Sequence, residues 1–66
     1  MNVTINGKKE TLNANLSLRD LISSKGLDKE KIVIERNREI VSRDSLDSVR
    51  LCDNDSIEIV AFVGGG

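Results

Sequence analysis

Apolar and polar residues alternate from the start of the chain: Met1, Val3 and Ile5 are interleaved with Asn2, Thr4 and Asn6. A period of two predicts a half-buried strand. Asn6-Gly7 follows, and a two-residue type I′ turn needs positive φ at both central positions, so this pair predicts a hairpin. The second strand is expected from about Lys8 to Asn13, antiparallel to the first. The period then changes. Ser17 is placed to cap a helix, and Asp20 three residues later makes a short-armed capping box. Leu16 before the cap and Leu21 at the fourth helical position have the spacing of a hydrophobic staple. Leu18, Leu21 and Ile22 share one helical face, while Arg19, Asp20 and Ser23 face water. Gly26 suits a left-handed C-terminal residue, and Lys25 suits the negative end of the helix dipole. The predicted helix, residues 18–25, is too short to stand alone and must dock on the sheet.

The second half predicts shorter pieces. Residues 31–35 read as a third strand with Ile32 and Ile34 inward, Arg36-Asn37-Arg38 as a polar turn, and residues 39–41 as a short edge strand. Residues 42–48 are mostly polar, anchored by Leu46. Residues 49–51 are expected to form a brief strand, closed by the turn Asp53-Asn54-Asp55. Residues 56–62 are the most apolar segment and are assigned to the sheet centre, beside the first strand. The result is an α+β roll: a mixed sheet of four to five strands with one main helix packed on one face. The pattern leaves the strand order open. The expected core is Val3, Ile5, Leu18, Leu21, Ile22, Ile32, Ile34, Leu51, Ile57 and Ile59.

Composition narrows the class. Sixty-six residues make one domain, residues 1–66, ending in a tail, 64–66, that is expected to be flexible. Such a chain buries only about 60% of the surface that its unfolded form exposes. The apolar fraction of 38% comes almost entirely from Ile, Val and Leu, which suits a sheet packed on a helix. Ten basic and eleven acidic residues give a net charge of -1, with no concentration of either sign: Glu35, Arg36, Arg38 and Glu39 are close together. A basic face and stacking aromatics are both missing, which argues against nucleic acid as a partner. One cysteine cannot form an internal disulfide. No apolar run of membrane-spanning length and no signal segment is seen, so no membrane partner is expected and the cytoplasm is the expected location.

The chain lacks histidine, and Cys52 has no imidazole to activate it. It is read as a small hydrophobe at a strand end. Outside the tail only Gly7 and Gly26 occur, which excludes a P-loop or dinucleotide fingerprint. Asp53 and Asp55 flank Asn54 as at the start of a calcium loop, but the later Gly and Glu are missing. A turn that satisfies its own backbone is the expectation there. No catalytic residue, metal or bound cofactor is therefore expected. The remaining glycines, Gly64, Gly65 and Gly66, are consecutive. They read either as a frayed end or as an arm that can thread a narrow channel. Extended, the arm reaches roughly 10 Å. Its carboxylate, with a reference pKa of about 3.3–3.7, is ionised at neutral pH and is a poor acyl donor until activated. Any ATP must then be bound by a partner. Along the last strand Val60 and Phe62 alternate with Ile57, Ile59 and Ala61. They are expected to face outward and, with Val63, to form either a docking patch or a small cluster covered by neighbouring strands.

The Asn6-Gly7 turn, the run Glu35-Arg36-Asn37-Arg38-Glu39-Ile40-Val41, the turn Asp53-Asn54-Asp55 and the end Ile57-Glu58-Ile59-Val60-Ala61-Phe62-Val63-Gly64-Gly65-Gly66 resemble the ThiS family of bacterial sulfur carriers over the whole chain. The resemblance implies a β-grasp, ubiquitin-like fold and a role in building the thiazole of thiamine. It implies that a ThiF-type adenylyltransferase activates the Gly66 carboxylate with ATP. Sulfur from a cysteine desulfurase relay then forms a thiocarboxylate, which a ThiG-type thiazole synthase consumes. Gly65 and Gly66 match the family's terminal pair, and Gly64 adds a third glycine. The chain is expected to be a carrier, not an enzyme, and a monomer when free. Rival readings are the small subunit of molybdopterin synthase, a ubiquitin-like modifier joined through Gly66 to a lysine, and a β-grasp binding module with an inert tail.

Overall fold

Two residues with left-handed backbone open the sheet. Asn6 (φ 49°) and Gly7 (φ 82°) connect β1 (Asn2–Ile5) to β2 (Lys8–Thr11), antiparallel with Ile5 opposite Lys8. This is the expected hairpin, and its second strand is shorter than the pattern suggested. The Leu12 N–H donates to the Met1 carbonyl at 2.8 Å, so the hydrogen bonding reaches one residue past each strand. The computed structural model describes residues 1–62. The tail, 64–66, and Val63 lie outside the described residues, and with them the expectation of tail mobility.

Helix α1 (Leu18–Ser24) begins at the predicted cap. The Asp20 N–H donates to Ser17 Oγ at 3.1 Å, and the Ser17 N–H donates back to the Asp20 carboxylate at 3.0 Å. Two of the orphan donors of the first turn are thus satisfied reciprocally. At the other end Gly26 takes φ 69°. The Leu27 N–H reaches the Ile22 carbonyl at 3.1 Å and the Gly26 N–H the Ser23 carbonyl at 3.0 Å, a Schellman closure. Leu18, Leu21 and Ile22 are buried, and all three belong to one core with Val3, Ile5, Ile32, Ile34, Leu46, Leu51 and Ile57.

A short 3₁₀ turn, Lys29–Lys31, leads into β3 (Ile32–Arg36). Asn37 and Arg38, both left-handed, turn the chain into β4 (Glu39–Val41). The last strand, β5 (Ser56–Ala61), lies in the middle of a five-stranded sheet of order β2-β1-β5-β3-β4. It is parallel to β1 and antiparallel to β3, so the sheet is mixed, with α1 covering one face. The α+β roll and the central place of the last strand agree with the sequence pattern.

Two expectations are corrected. Residues 49–51 form no strand; Arg50 makes only an isolated bridge with Ser17. Its backbone is engaged by the approach to the helix: the Leu51 N–H donates to Leu16 at 2.8 Å and Leu18 to Val49 at 3.0 Å. At Leu18 the partner becomes helical, so the ladder cannot grow. Ile59 is only partly buried. A helix of seven residues is about 10 Å long, whereas a six-residue strand runs about 20 Å, so α1 cannot cover both ends of β5.

The start of β5 is tied to the β3–β4 turn through Asp55, which is buried. Its carboxylate accepts from the Cys52 N–H at 2.7 Å, from Arg36 Nε at 2.9 Å and from Asn37 Nδ2 at 3.1 Å. Burial pushes the Asp55 carboxyl up, but the Cys52, Arg36 and Asn37 hydrogen bonds and the Arg36 charge outweigh it and hold it below 3.8. The turn thus satisfies its own backbone, as expected, and also binds a cation from β3. A folded-state pKa below the unfolded value means that the unfolded chain takes up the proton more readily. The resulting stability is present above the unfolded value and is lost as pH falls through the folded one. Asp55→Asn should cost about 1.5–3 kcal/mol at pH 7. Urea unfolding at a series of pH values should also show a shallower loss of stability below about pH 4 than in the parent chain.

Candidate functional site: the last strand and its outward face

Side chains alternate along β5 because successive Cβ atoms leave a strand on opposite faces. Ile57 is fully buried under α1 and Ile59 half-buried, whereas Ser56, Glu58, Val60 and Phe62 are exposed on the other face. The backbone is held on both edges. On the β3 side the pairing continues past the strand's end, with the Phe62 N–H donating to the Lys31 carbonyl at 2.8 Å. On the β1 side the Asn6 N–H donates to the Ile57 carbonyl at 2.9 Å. There β1 turns away, and the Asn6 side chain takes over: Oδ1 accepts from the Ile59 N–H at 2.7 Å and Nδ2 donates to the Ile59 carbonyl at 3.2 Å. One primary amide therefore does what a further strand residue would do. The sequence reading gave Asn6 only a turn role. The signal available was that asparagine carries both a donor and an acceptor.

The outward face carries the exposed apolar residues. Val60 is 55% exposed and Phe62 58%, as the alternation predicted, so no neighbouring strand covers them. Val33, half-buried, lies directly opposite Val60. Ile40, 73% exposed, extends the face onto β4, where it sits opposite Glu35. Ile40 and Val33 were not singled out from the sequence, because their adjacency to Val60 depends on the register of three strands. Val63, Gly64, Gly65 and Gly66 lie outside the described residues.

Cys52 corrects another expectation. It is exposed, not packed as a small hydrophobe, because the preceding Leu51 takes the core position and the chain then turns. Its Sγ lies 3.5 Å from Arg36 Nη2, at the start of β5. The tail leaves from the other end, about 20 Å along a strand of this length. Beside that far end, on the helix side, Ile5, Leu27, Ile59 and Ala61 line an open groove rimmed by Lys8 and by an ion pair of Lys25 with Glu10 at 3.0 Å.

A small sheet whose central strand is the last element before the glycines in the sequence, with an apolar face that no other described residue covers, can present that face to another protein. A model of the ThiS family matches residues 3–66. The chain belongs to the ThiS family. It is 46% identical over 50 residues to the sulfur carrier protein ThiS of Bacillus subtilis, covering 76% of each chain. It is 41% identical over its full length to a thiazole synthase of Paramagnetospirillum magneticum, of which it spans only 20%. A crystal structure of the thiamine biosynthesis protein ThiS from Geobacter metallireducens superposes with a TM-score of 0.85 at 33% identity, each chain covered fully. The fold is thus the β-grasp of that family. No helix among the described residues is long and apolar enough to cross a membrane.

The two faces of β5 differ in what substitution should cost. Phe62→Asp, on the open face, should change the unfolding free energy by less than about 0.5 kcal/mol. Ile57→Ala, under the helix, should cost about 2–5 kcal/mol. Urea denaturation of the two variants against the parent checks the pair.

Proposed function

We propose that this chain is a sulfur carrier for the thiazole moiety of thiamine, with the Gly66 carboxylate as its working group. The observation that carries the reading is the family match, which runs through the glycine tail to residue 66. The chain supplies no histidine and no phosphate-binding loop. A ThiF-type adenylyltransferase therefore binds ATP, the carboxylate attacks its α-phosphorus, and pyrophosphate leaves. The persulfide of a cysteine desulfurase relay attacks the acyl carbon of the adenylate and AMP leaves. A second partner thiol then reduces the acyl disulfide so formed, becoming a disulfide with the sulfur donor and releasing the thiocarboxylate. The resulting thiocarboxylate gives its sulfur to a ThiG-type thiazole synthase. In this scheme the chain is a co-substrate and not an enzyme, binds no cofactor itself, and works as a monomer in the cytoplasm.

The physical features fit the division of labour. An arm of Gly64, Gly65 and Gly66 without Cβ atoms can enter a channel too narrow for other residues. Val60, Phe62 and Val63 are the proposed docking patch at its root. Val60 is an exposed apolar side chain on the central strand, and Phe62, also exposed, follows its end with its backbone still bonded to Lys31. The relation to the thiazole synthase of Paramagnetospirillum magneticum supports the choice of recipient, because a ThiS-like segment there forms part of a protein of that name.

Tail length provides the test. Deleting Gly66 leaves an equally acidic terminus on Gly65 but withdraws it by about 3.3–3.6 Å. Displacement by about 1 Å can already cost a factor of ~100 in a positioned reaction. The shortened chain should fold normally and fail in ATP–pyrophosphate exchange catalysed by the adenylyltransferase. A chain with one residue appended after Gly66 should fail likewise. Equal exchange by all three chains would overturn the assignment of the Gly66 carboxylate as the working group.

A further inference from the structure

The outward face brings two acidic residues opposite one another across the sheet. Glu35 on β3 and Glu58 on β5 are directly opposite one another in the antiparallel register. Both point away from the helix, since Ile34 and Ile57, their neighbours in sequence, are buried beneath it. Opposed residues in such a pair have Cβ atoms only about 4.5–5.5 Å apart, and like charges there repel. Four ion pairs occur among the described residues, and none includes Glu35 or Glu58. Residues 63–66 are Val and Gly, so the tail brings no basic side chain either. On the β3–β4 side the neighbours are apolar: Ile40 lies opposite Glu35 on β4, and the next pair along is Val33 with Val60. Beyond it Lys31 lies beside Phe62, two pairs from the carboxylates and in no ion pair with them. Two carboxylates without an ion-pair partner among the described residues thus border an exposed apolar patch on the central strands.

We propose that this face is completed by a protein surface that places an arginine or lysine between Glu35 and Glu58 and apolar groups on Val60, Phe62 and Ile40. The proposal rests on the carrier reading above and names the thiazole synthase as the partner. Charge complementarity selects the occupant. A second copy of this chain would bring two more carboxylates against the first two, so self-association through this face is disfavoured. A guanidinium fits better: it can bridge both carboxylates with paired N–H donors, and arginine amid apolar residues is a common interface centre. The same pair also disfavours acidic partner surfaces that could otherwise use the apolar patch. It weakens the isolated domain slightly and serves binding.

That opposition gives a signature that a purely structural role would not produce. Glu35→Gln, Glu58→Gln and the double variant should each unfold at a higher urea concentration than the parent. Each should bind the thiazole synthase of the same organism more weakly, by about ten-fold or more for the double variant, with a shallower dependence of the association rate on salt. Asp44→Asn removes one negative charge from an exposed turn outside this face and should leave binding unchanged. Binding and unfolding would be measured on the full 66-residue chain, with sedimentation of the parent alone. Equal affinity of the parent and the Gln variants would overturn the proposal while leaving the carrier reading intact. So would a lowered unfolding midpoint in the variants, or dimerisation of the parent that the Gln variants strengthen. Absence of any binding by the parent would overturn the choice of partner as well.

Discussion

The position of β5 between β1 and β3 is the constraint on which the rest of the molecule depends. It is the last strand in the chain but the middle strand of the sheet, so neither hairpin can join the other until it arrives. Its Ile57 is fully buried between them and under α1. Nearly every long-range hydrogen bond of the sheet runs to its two edges, including the unusual pair from the Asn6 side chain. A strand held on both sides does not fray readily. The same strand ends at Ala61, so the best-held element of a very small domain is also the last one before the glycines in the sequence.

The helix is subordinate to that arrangement. With seven residues it lies below the length at which isolated helices persist in water. The Ser17–Asp20 capping box and the Schellman closure at Gly26 satisfy its ends locally, and three buried side chains fix it to the sheet. Its shortness has a consequence. Among the described residues, one end of the sheet's inner face stays open beside Ile59 and Ala61.

Histidine and a phosphate-binding loop are both missing from the sequence, and the outward face of the sheet is the surface that the described residues leave open. The surface is where the isolated fold is locally least satisfied. Ile40, Val60 and Phe62 are exposed, and Glu35 faces Glu58. Uncovered apolar area and uncompensated charge weaken a monomer and favour an interface for the same physical reason: both are relieved by a partner with complementary groups.

Local rules alone determined much of this protein. Positive φ at Asn6 and Gly7, the Ser17 cap, the left-handed Gly26 and the alternation in β1, β3 and β5 each depend on residues within one turn or one strand, and each was legible in the chain. The glycine tail and the outward phase of Val60 and Phe62 were legible for the same reason. Tertiary structure alone decided the strand order, the failure of residues 49–51 to form a strand, the exposure of Cys52 and the half-burial of Ile59. It also decided the union of Asp55 with Arg36 and Asn37, and the meeting of Glu35, Glu58, Val33 and Ile40 on one face. These depend on which distant segments share an edge and in what register. A one-residue slip would move every such side chain to the opposite face. Sequence periodicity fixes the phase within a strand, but only the packed sheet fixes the phase between strands.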